Sequence, residues 1–131
     1  GDRFFDSSIA YQGYGLGMDV EAVRAVNAIA TRGLIPDLTV LLDIDPATGV
    51  ARATGGRDAD RIERRKLAFH TSVRNAYLQM AANEPDRFRV VGVGDLSIDQ
   101  VHAAVFREVT EFLTNRVSSA VGQYRPGARE V

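Results

Sequence analysis

The stretch Gly1–Asp19, GDRFFDSSIAYQGYGLGMD, decides how the rest of this chain is read. Gly13, Gly15 and Gly17 fall on alternate positions, a pattern that argues against a regular helix. Polar and aromatic groups crowd the same segment: Asp2, Arg3, Ser7, Ser8, Tyr11 and Gln12. Glycine lets backbone approach a ligand, an arginine fork matches a phosphate, and tyrosine and glutamine can meet the face and edge of a base. Residues 1–5 read as the end of a strand. Asp2 would then sit at the carboxyl edge of a sheet, where open α/β folds bind ligands. The composition fits a nucleotide site better than a structural loop.

Downstream, strand and helix patterns alternate. Asp19 can cap a helix running to about Arg32, with Glu21 in its first turn and an apolar stripe of Val20, Val23, Val26, Ile29 and Ala30. Gly33 and Pro36 stop it. Leu38–Ile44, LTVLLDI, is a short apolar run between turn signals, as expected of a strand buried on both faces. Asp45-Pro46 starts another helix, with aspartate as cap and proline at the first helical position. Gly55 and Gly56 predict a hinge or loop from Thr54 to Asp60. A long helix follows from Asp60 to about Asn83, with Ile62, Leu67, Phe69, Val73, Tyr77, Leu78 and Ala81 on its apolar side, and Pro85 ends it. Phe88–Val93 is a second short strand. Ser97 and Gln100 form a capping box for a final amphipathic helix carrying Ile98, Val101, Val105, Val109, Phe112 and Leu113. The pattern fades after Arg116, and residues 117–131 read as a tail. This alternation predicts an α/β fold with a parallel sheet and right-handed crossovers.

Composition bounds the rest. The chain has 131 residues, enough for one domain and too few for two. It is 45% hydrophobic and 25% charged, as in ordinary soluble globular proteins. A net charge of −1 gives no electrostatic case for nucleic acid or a membrane surface. Without cysteine there is no disulfide, thiolate metal site or cysteine nucleophile. No apolar run approaches the length of a bilayer span, and no signal peptide stands at residue 1, so a cytoplasmic location is expected.

Three ordered segments resemble bacterial thymidylate kinases: DRFFDSSIAYQGYG from Asp2, GLIPDLTVLLDIDPATGVAR from Gly33 to Arg52, and DRIERRKLAFHTSVRNAYL from Asp60 to Leu78. The resemblance covers roughly residues 2–93. It implies the P-loop nucleoside monophosphate kinase fold over residues 1–116, and transfer of a phosphate from ATP to dTMP with Mg²⁺. It also implies a homodimer, for which the Asp19 helix is a candidate face. No Gly-x-x-x-x-Gly-Lys-Ser/Thr occurs in these residues. The family carries that ATP phosphate loop ahead of its Asp-Arg motif. The expectation is therefore a C-terminal part of such a kinase, with about 80 residues in front, two to three strand–helix units of about 30 residues each. Such a piece is expected to be marginal alone, with apolar surface exposed from Leu38 to Ile44.

The resemblance assigns roles residue by residue. Arg3 is expected on the acceptor phosphate, and Asp2 at the catalytic site, holding magnesium through water or orienting the attacking phosphate. Without the resemblance, Arg3 reads as a surface arginine paired with Asp6 and Asp2 as a turn cap. Ser8, Tyr11 and Gln12 fall where the family reads thymine and deoxyribose. Tyr11 would pack beneath the sugar and exclude a 2′-hydroxyl, while Gln12 would pair with a pyrimidine edge. Their bland readings are a core aromatic for Tyr11 and a turn hydroxyl for Ser8. Arg74 and Tyr77 match an Arg-x-x-Tyr that faces the dTMP pocket, but a snorkelling arginine beside a core tyrosine explains the spacing equally well.

Residues 51–66 match the family's lid over ATP. Arg52, Arg57, Arg61, Arg64, Arg65 and Lys66 stand against Asp58, Asp60 and Glu63. Arg57 and Arg61, then Arg52, are the candidates to supply charge to the transferring phosphoryl group. A solvated helix face accounts for Arg64, Arg65 and Lys66. His70 and His102 share no cluster and read as structural or surface residues. Leu16 stands where the family usually has arginine, and Arg65 where it usually has an acid. Two alternatives remain open: a related deoxynucleoside monophosphate kinase, and a nucleotide-binding remnant without catalysis.

Overall fold

The computed structural model describes residues 5–54 and 61–123. They fall into two compact units, Gly1–Asp95 and Leu96–Val131. In the first unit, the strand expected over residues 1–5 is not seen at Phe5. That residue already opens a single helical turn, α1 (Phe5–Ser8), and residues 1–4 lie outside the described residues.

The glycine-rich segment is wound, against expectation, as a π-helix over Ile9–Gly15. The Leu16 N–H donates to the Tyr11 carbonyl, five residues back, at 2.9 Å. The spacing of glycines does exclude a regular α-helix, but the wider π turn accommodates them. Gly13 and Gly15 serve close packing. A Cβ on Gly13 would meet Val20 Cγ2 at 3.1 Å, and one on Gly15 would meet Phe69 Cε2 at 2.9 Å. Their backbone thus approaches neighbouring helices.

α2 (Val20–Ala30) starts where Asp19 accepts a hydrogen bond from the Glu21 N–H at 3.0 Å. Its stripe is narrower than the spacing predicts. Val23 is buried, whereas Val26 and Ile29 are exposed. The helix closes in a Schellman motif, with the Gly33 N–H on the Ala28 carbonyl and the Arg32 N–H on the Ile29 carbonyl. Both Arg32 (φ 54°) and Gly33 (φ 77°) are left-handed.

β1 (Thr39–Asp43) and β2 (Phe88–Gly92) form a parallel pair in register from Thr39↔Phe88 to Asp43↔Gly92. α3 (Pro46–Thr54) and α4 (Arg61–Asn83) make the crossover. The expected Asp45 cap is present: its carboxylate accepts from the Thr48 N–H at 3.3 Å. The expectation that β1 is buried on both faces fails. Its residues are half-buried and Leu42 is 49% exposed. The sheet has two strands among the described residues, so β1 has β2 on one side and no partner on the other. The expected exposure of apolar surface along this strand follows from the same cause.

The core lies between the π-helix, α2, α4 and the start of β2. Ile9, Ala10, Val23, Val73, Met80 and Phe88 are its buried centre. Each fully buried large side chain contributes about 1.5–3 kcal/mol. From α4, Ala76 and Met80 reach this core in addition to the expected Val73 and Ala81.

In the second unit, α5 (Ile98–Gln123) begins with the capping box. The Ser97 N–H donates to Gln100 Oε1 at 2.8 Å, and the Gln100 N–H to Ser97 Oγ at 3.2 Å. The helix runs past Arg116 to Gln123, so the tail boundary at residue 117 is too early. Leu113, Val117 and Val121 continue the helical spacing, and the next strong breaker is Pro126. Residues 124–131 lie outside the described residues.

Candidate functional site

An open cleft of about 1070 Å³ lies beside β1 in the first unit. That volume exceeds the usual range for small-molecule pockets, about 300–1,000 Å³, and admits a nucleotide. Its floor is β1 with the preceding Leu34–Leu38 segment. Its polar wall comes from α1 (Asp6, Ser7), the π-helix (Tyr11) and α4 (His70, Arg74, Tyr77). Asp43, at the carboxyl end of β1, also lines it, and that is the edge where open α/β sheets bind ligands.

Three of the expected site residues meet there. Tyr11 and Tyr77 stand edge to face, with ring centroids 6.4 Å apart, and Phe69 backs Tyr11 at 5.9 Å. Tyr77 Oη and Ser7 Oγ share a hydrogen bond of 2.6 Å. Arg74 donates from Nε to Asp43 Oδ1 at 2.8 Å and from Nη2 to Asp43 Oδ2 at 3.0 Å. Asp45 Oδ1 lies 3.7 Å from Nη1 of the same guanidinium. The hydrogen bond from Arg74 holds the Asp43 carboxyl below the ordinary aspartate range, against an opposing effect of burial. In return, that bond raises Arg74. Arg74 thus lines the cleft while locked in an ion pair, and is not a snorkelling side chain.

Ser8 and Gln12 do not line the cleft. Gln12 is exposed, and Ser7, the neighbour of Ser8, lines the cleft. A seven-residue π-helix advances fewer degrees per residue than an α-helix, so extrapolated facing goes astray here. Asp2, Arg3 and Arg57 lie outside the described residues, as does the hinge expected over Thr54–Asp60 apart from Thr54, the last residue of α3. Arg52 falls in α3 but its side chain is not described. Arg61, Arg64, Arg65 and Lys66 are exposed on α4. His70 lies on the rim of the cleft with its ring 5.7 Å from Phe69, and His102 belongs to α5 near Phe106. Leu16, the departure from arginine, is 66% exposed.

A second ion pair braces the site from behind. Arg87 donates to both Asp6 oxygens at 2.9 and 2.8 Å and to Glu84 Oε2 at 2.7 Å. Thr39 Oγ1 donates to Asp6 Oδ2 at 2.8 Å. The Arg87 guanidinium also lies 4.6 Å from the Phe88 ring centroid. Hydrogen bonding to Asp6 raises the Arg87 pKa well above its usual value, against desolvation. Sequence reading placed Asp6 only as a partner for Arg3. Nothing local links it to a residue 81 positions away. Asp43, by contrast, had a legible signal, as the acid ending an apolar strand.

Among the described residues no group of three or more His, Cys, Asp or Glu side chains could hold a metal ion. No described helix is long and apolar enough to cross a membrane.

Comparison with known proteins agrees with the three segments. The thymidylate kinase family model matches residues 1–105. The thymidylate kinase of Carboxydothermus hydrogenoformans is 52% identical over 90 residues, which are 69% of this chain and 43% of that protein. That of Solidesulfovibrio magneticus is 46% identical over 119 residues, 86% of this chain and 56% of the relative. That of Gloeobacter violaceus is 44% identical over 119 residues, covering 89% and 56%. The chain spans about half the length of these curated relatives. It belongs to the thymidylate kinase family, and its parallel strands with crossover helices accord with the P-loop nucleoside monophosphate kinase fold of that family.

Proposed function

We propose that this member of the thymidylate kinase family serves a protein that transfers the γ-phosphoryl group of ATP to dTMP, giving ADP and dTDP. The observation that carries the reading is the meeting of Tyr11, Arg74 and Tyr77 in one cleft at the carboxyl end of β1, although they come from two separate motifs. In this reading dTMP occupies that cleft. Tyr11 packs against the deoxyribose and leaves no room for a 2′-hydroxyl. Arg3 forks onto the acceptor phosphate and sets it in line with the donor. Ser8 and Gln12 belong to the same reading as contacts of the thymine side, supported by the family motif and not by the cleft.

Phosphoryl transfer is mostly positioning and charge neutralisation. Residues 51–66 act as the lid, and Arg57 or Arg61, with Arg52 next, brings charge to the transferring group. Asp2 would hold magnesium through water, and the ion would offset the phosphate charge. The protein works as a cytoplasmic homodimer and takes no nucleic acid.

Transfer of labelled phosphate from ATP to dTMP, with dUMP, dCMP and AMP alongside, tests this directly. Turnover with dTMP preferred is the expected result for the protein carrying an ATP phosphate loop. Preference for another acceptor would replace the substrate, and dTMP binding with no turnover on any acceptor would replace catalysis by nucleotide binding.

A further inference from the structure

We propose that Arg87 is a positioning residue for the nucleotide cleft, acting through Asp6. The proposal rests on reading that cleft as the dTMP pocket. Arg87 itself does not line the cleft, so any effect on a ligand there must pass through what it holds. It holds Asp6, whose two oxygens both accept from its guanidinium, at 2.9 and 2.8 Å. Thr39 Oγ1 at 2.8 Å adds a third donor. The side chains of Arg87 and Asp6 are 13% and 7% exposed.

A buried ion pair adds little net stability over apolar side chains of the same volume, because both charges must shed water. What three donors on one carboxylate do supply is orientation, since they fix its plane. Asp6 belongs to the single turn α1, which carries Ser7 next in sequence. Ser7 Oγ bonds Tyr77 Oη at 2.6 Å, and Tyr77 meets Tyr11 edge to face. The sequence of contacts Arg87–Asp6–Ser7–Tyr77–Tyr11 thus runs from the turn before β2 to the ring expected beneath the sugar. Glu84 at 2.7 Å and the Phe88 ring at 4.6 Å hold the guanidinium from its other sides. If α1 rotates, Ser7 and both tyrosines lose their fixed relation.

The test uses the longest natural form of the protein, with dTMP binding measured by calorimetry alongside thermal unfolding. Arg87→Lys keeps the charge and removes the two-pronged grip. It should weaken dTMP binding by about tenfold at temperatures well below its melting point, the scale expected when a positioning group shifts by a fraction of an ångström. Thr39→Val removes one donor with little change of shape and should weaken binding by a smaller factor, about threefold. If either folded variant binds dTMP as the parent does while only its melting point falls, Arg87 is merely structural and the proposal is wrong. Should Arg87→Lys fail to fold, Glu84→Gln decides instead: Glu84 holds the guanidinium at 2.7 Å from outside the cleft, and weakened dTMP binding supports the proposal while unchanged binding overturns it. If the parent protein binds no dTMP, the function reading falls, and the positioning role with it.

Discussion

Arg74 on α4 grips Asp43 at the tip of β1 with two parallel hydrogen bonds, 2.8 and 3.0 Å, while Asp45, the cap of α3, stands 3.7 Å away. One guanidinium therefore joins the end of the strand, the start of the next helix and the wall of the cleft. Two-pronged arginine–carboxylate contacts fix geometry as well as charge. In a fold whose crossover passes through α3 and α4, this contact ties the middle of α4 to the end of β1 and the start of α3.

The Asp43–Arg74 pair should make stability depend on acid. The Asp43 carboxyl is lowered from 3.8 in the folded protein, chiefly by its hydrogen bond with Arg74. A carboxyl lowered on folding stabilises fully above its unfolded value, and the contribution disappears as pH falls through the lowered one. Parent protein should therefore melt above Asp43→Asn at pH 7, and the gap should close at pH below about 4. Melting curves of both proteins from neutral to acid pH decide it. A gap that is constant with pH would mean that the charge on Asp43 is irrelevant.

The Ser7–Tyr77 hydrogen bond spans 70 residues and is partly buried. A double-mutant cycle with Ser7→Ala and Tyr77→Phe isolates it. The expected coupling is about 0.5–1.5 kcal/mol in urea unfolding, with the double variant losing less than the two singles together. Additive losses would show that the 2.6 Å contact carries no energy of its own.

The sequence carried the elements well where local chemistry defines them. Asp19, Asp45-Pro46 and the Ser97–Gln100 box each marked a helix start that the structure contains. The apolar runs at Thr39–Asp43 and Phe88–Gly92 became the parallel pair. Legibility ended where partners are distant. Val26 and Ile29 have helical spacing but nothing over them in the described residues, and periodicity does not reveal whether a face is covered. The π winding of Ile9–Gly15 has no local signature in the glycine spacing, and Gln12 on it is exposed, while Ser7 of α1 lines the cleft. In the site, Tyr11, Arg74 and Tyr77 were readable because motifs carry them. Asp6 and Arg87 were not, because a long-range buried pair leaves no local pattern.

Two glycines should respond to the same change with opposite sign. Gly33 has φ 77° and open space where a methyl would project, so Gly33→Ala costs only backbone strain, about 1 kcal/mol. Gly49 sits inside α3, also with open space, so Gly49→Ala should stabilise by about 0.5–1 kcal/mol through the unfolded chain. Urea midpoints of the two variants should fall on either side of the parent. A shift in the same direction for both would contradict the backbone geometry at one of them.

Gly15 packs its backbone against α4. A methyl there would lie 2.9 Å from Phe69 Cε2 and 3.0 Å from Val73 Cγ2. Val73 is buried and cannot retreat, so Gly15→Ala should destabilise by about 1–3 kcal/mol through overpacking. The source of the loss can be checked by making room. Val73→Ala removes the opposing methyls and alone costs the cavity it leaves. Combined with Gly15→Ala, that cavity is partly refilled, so the double variant should be more stable than the sum of the singles by at least about 0.5 kcal/mol. Phe69 also backs Tyr11 at 5.9 Å, so the same methyl pushes on the cleft wall. If the two losses simply add, the close approach of Gly15 to α4 is not what limits the side chain at this position.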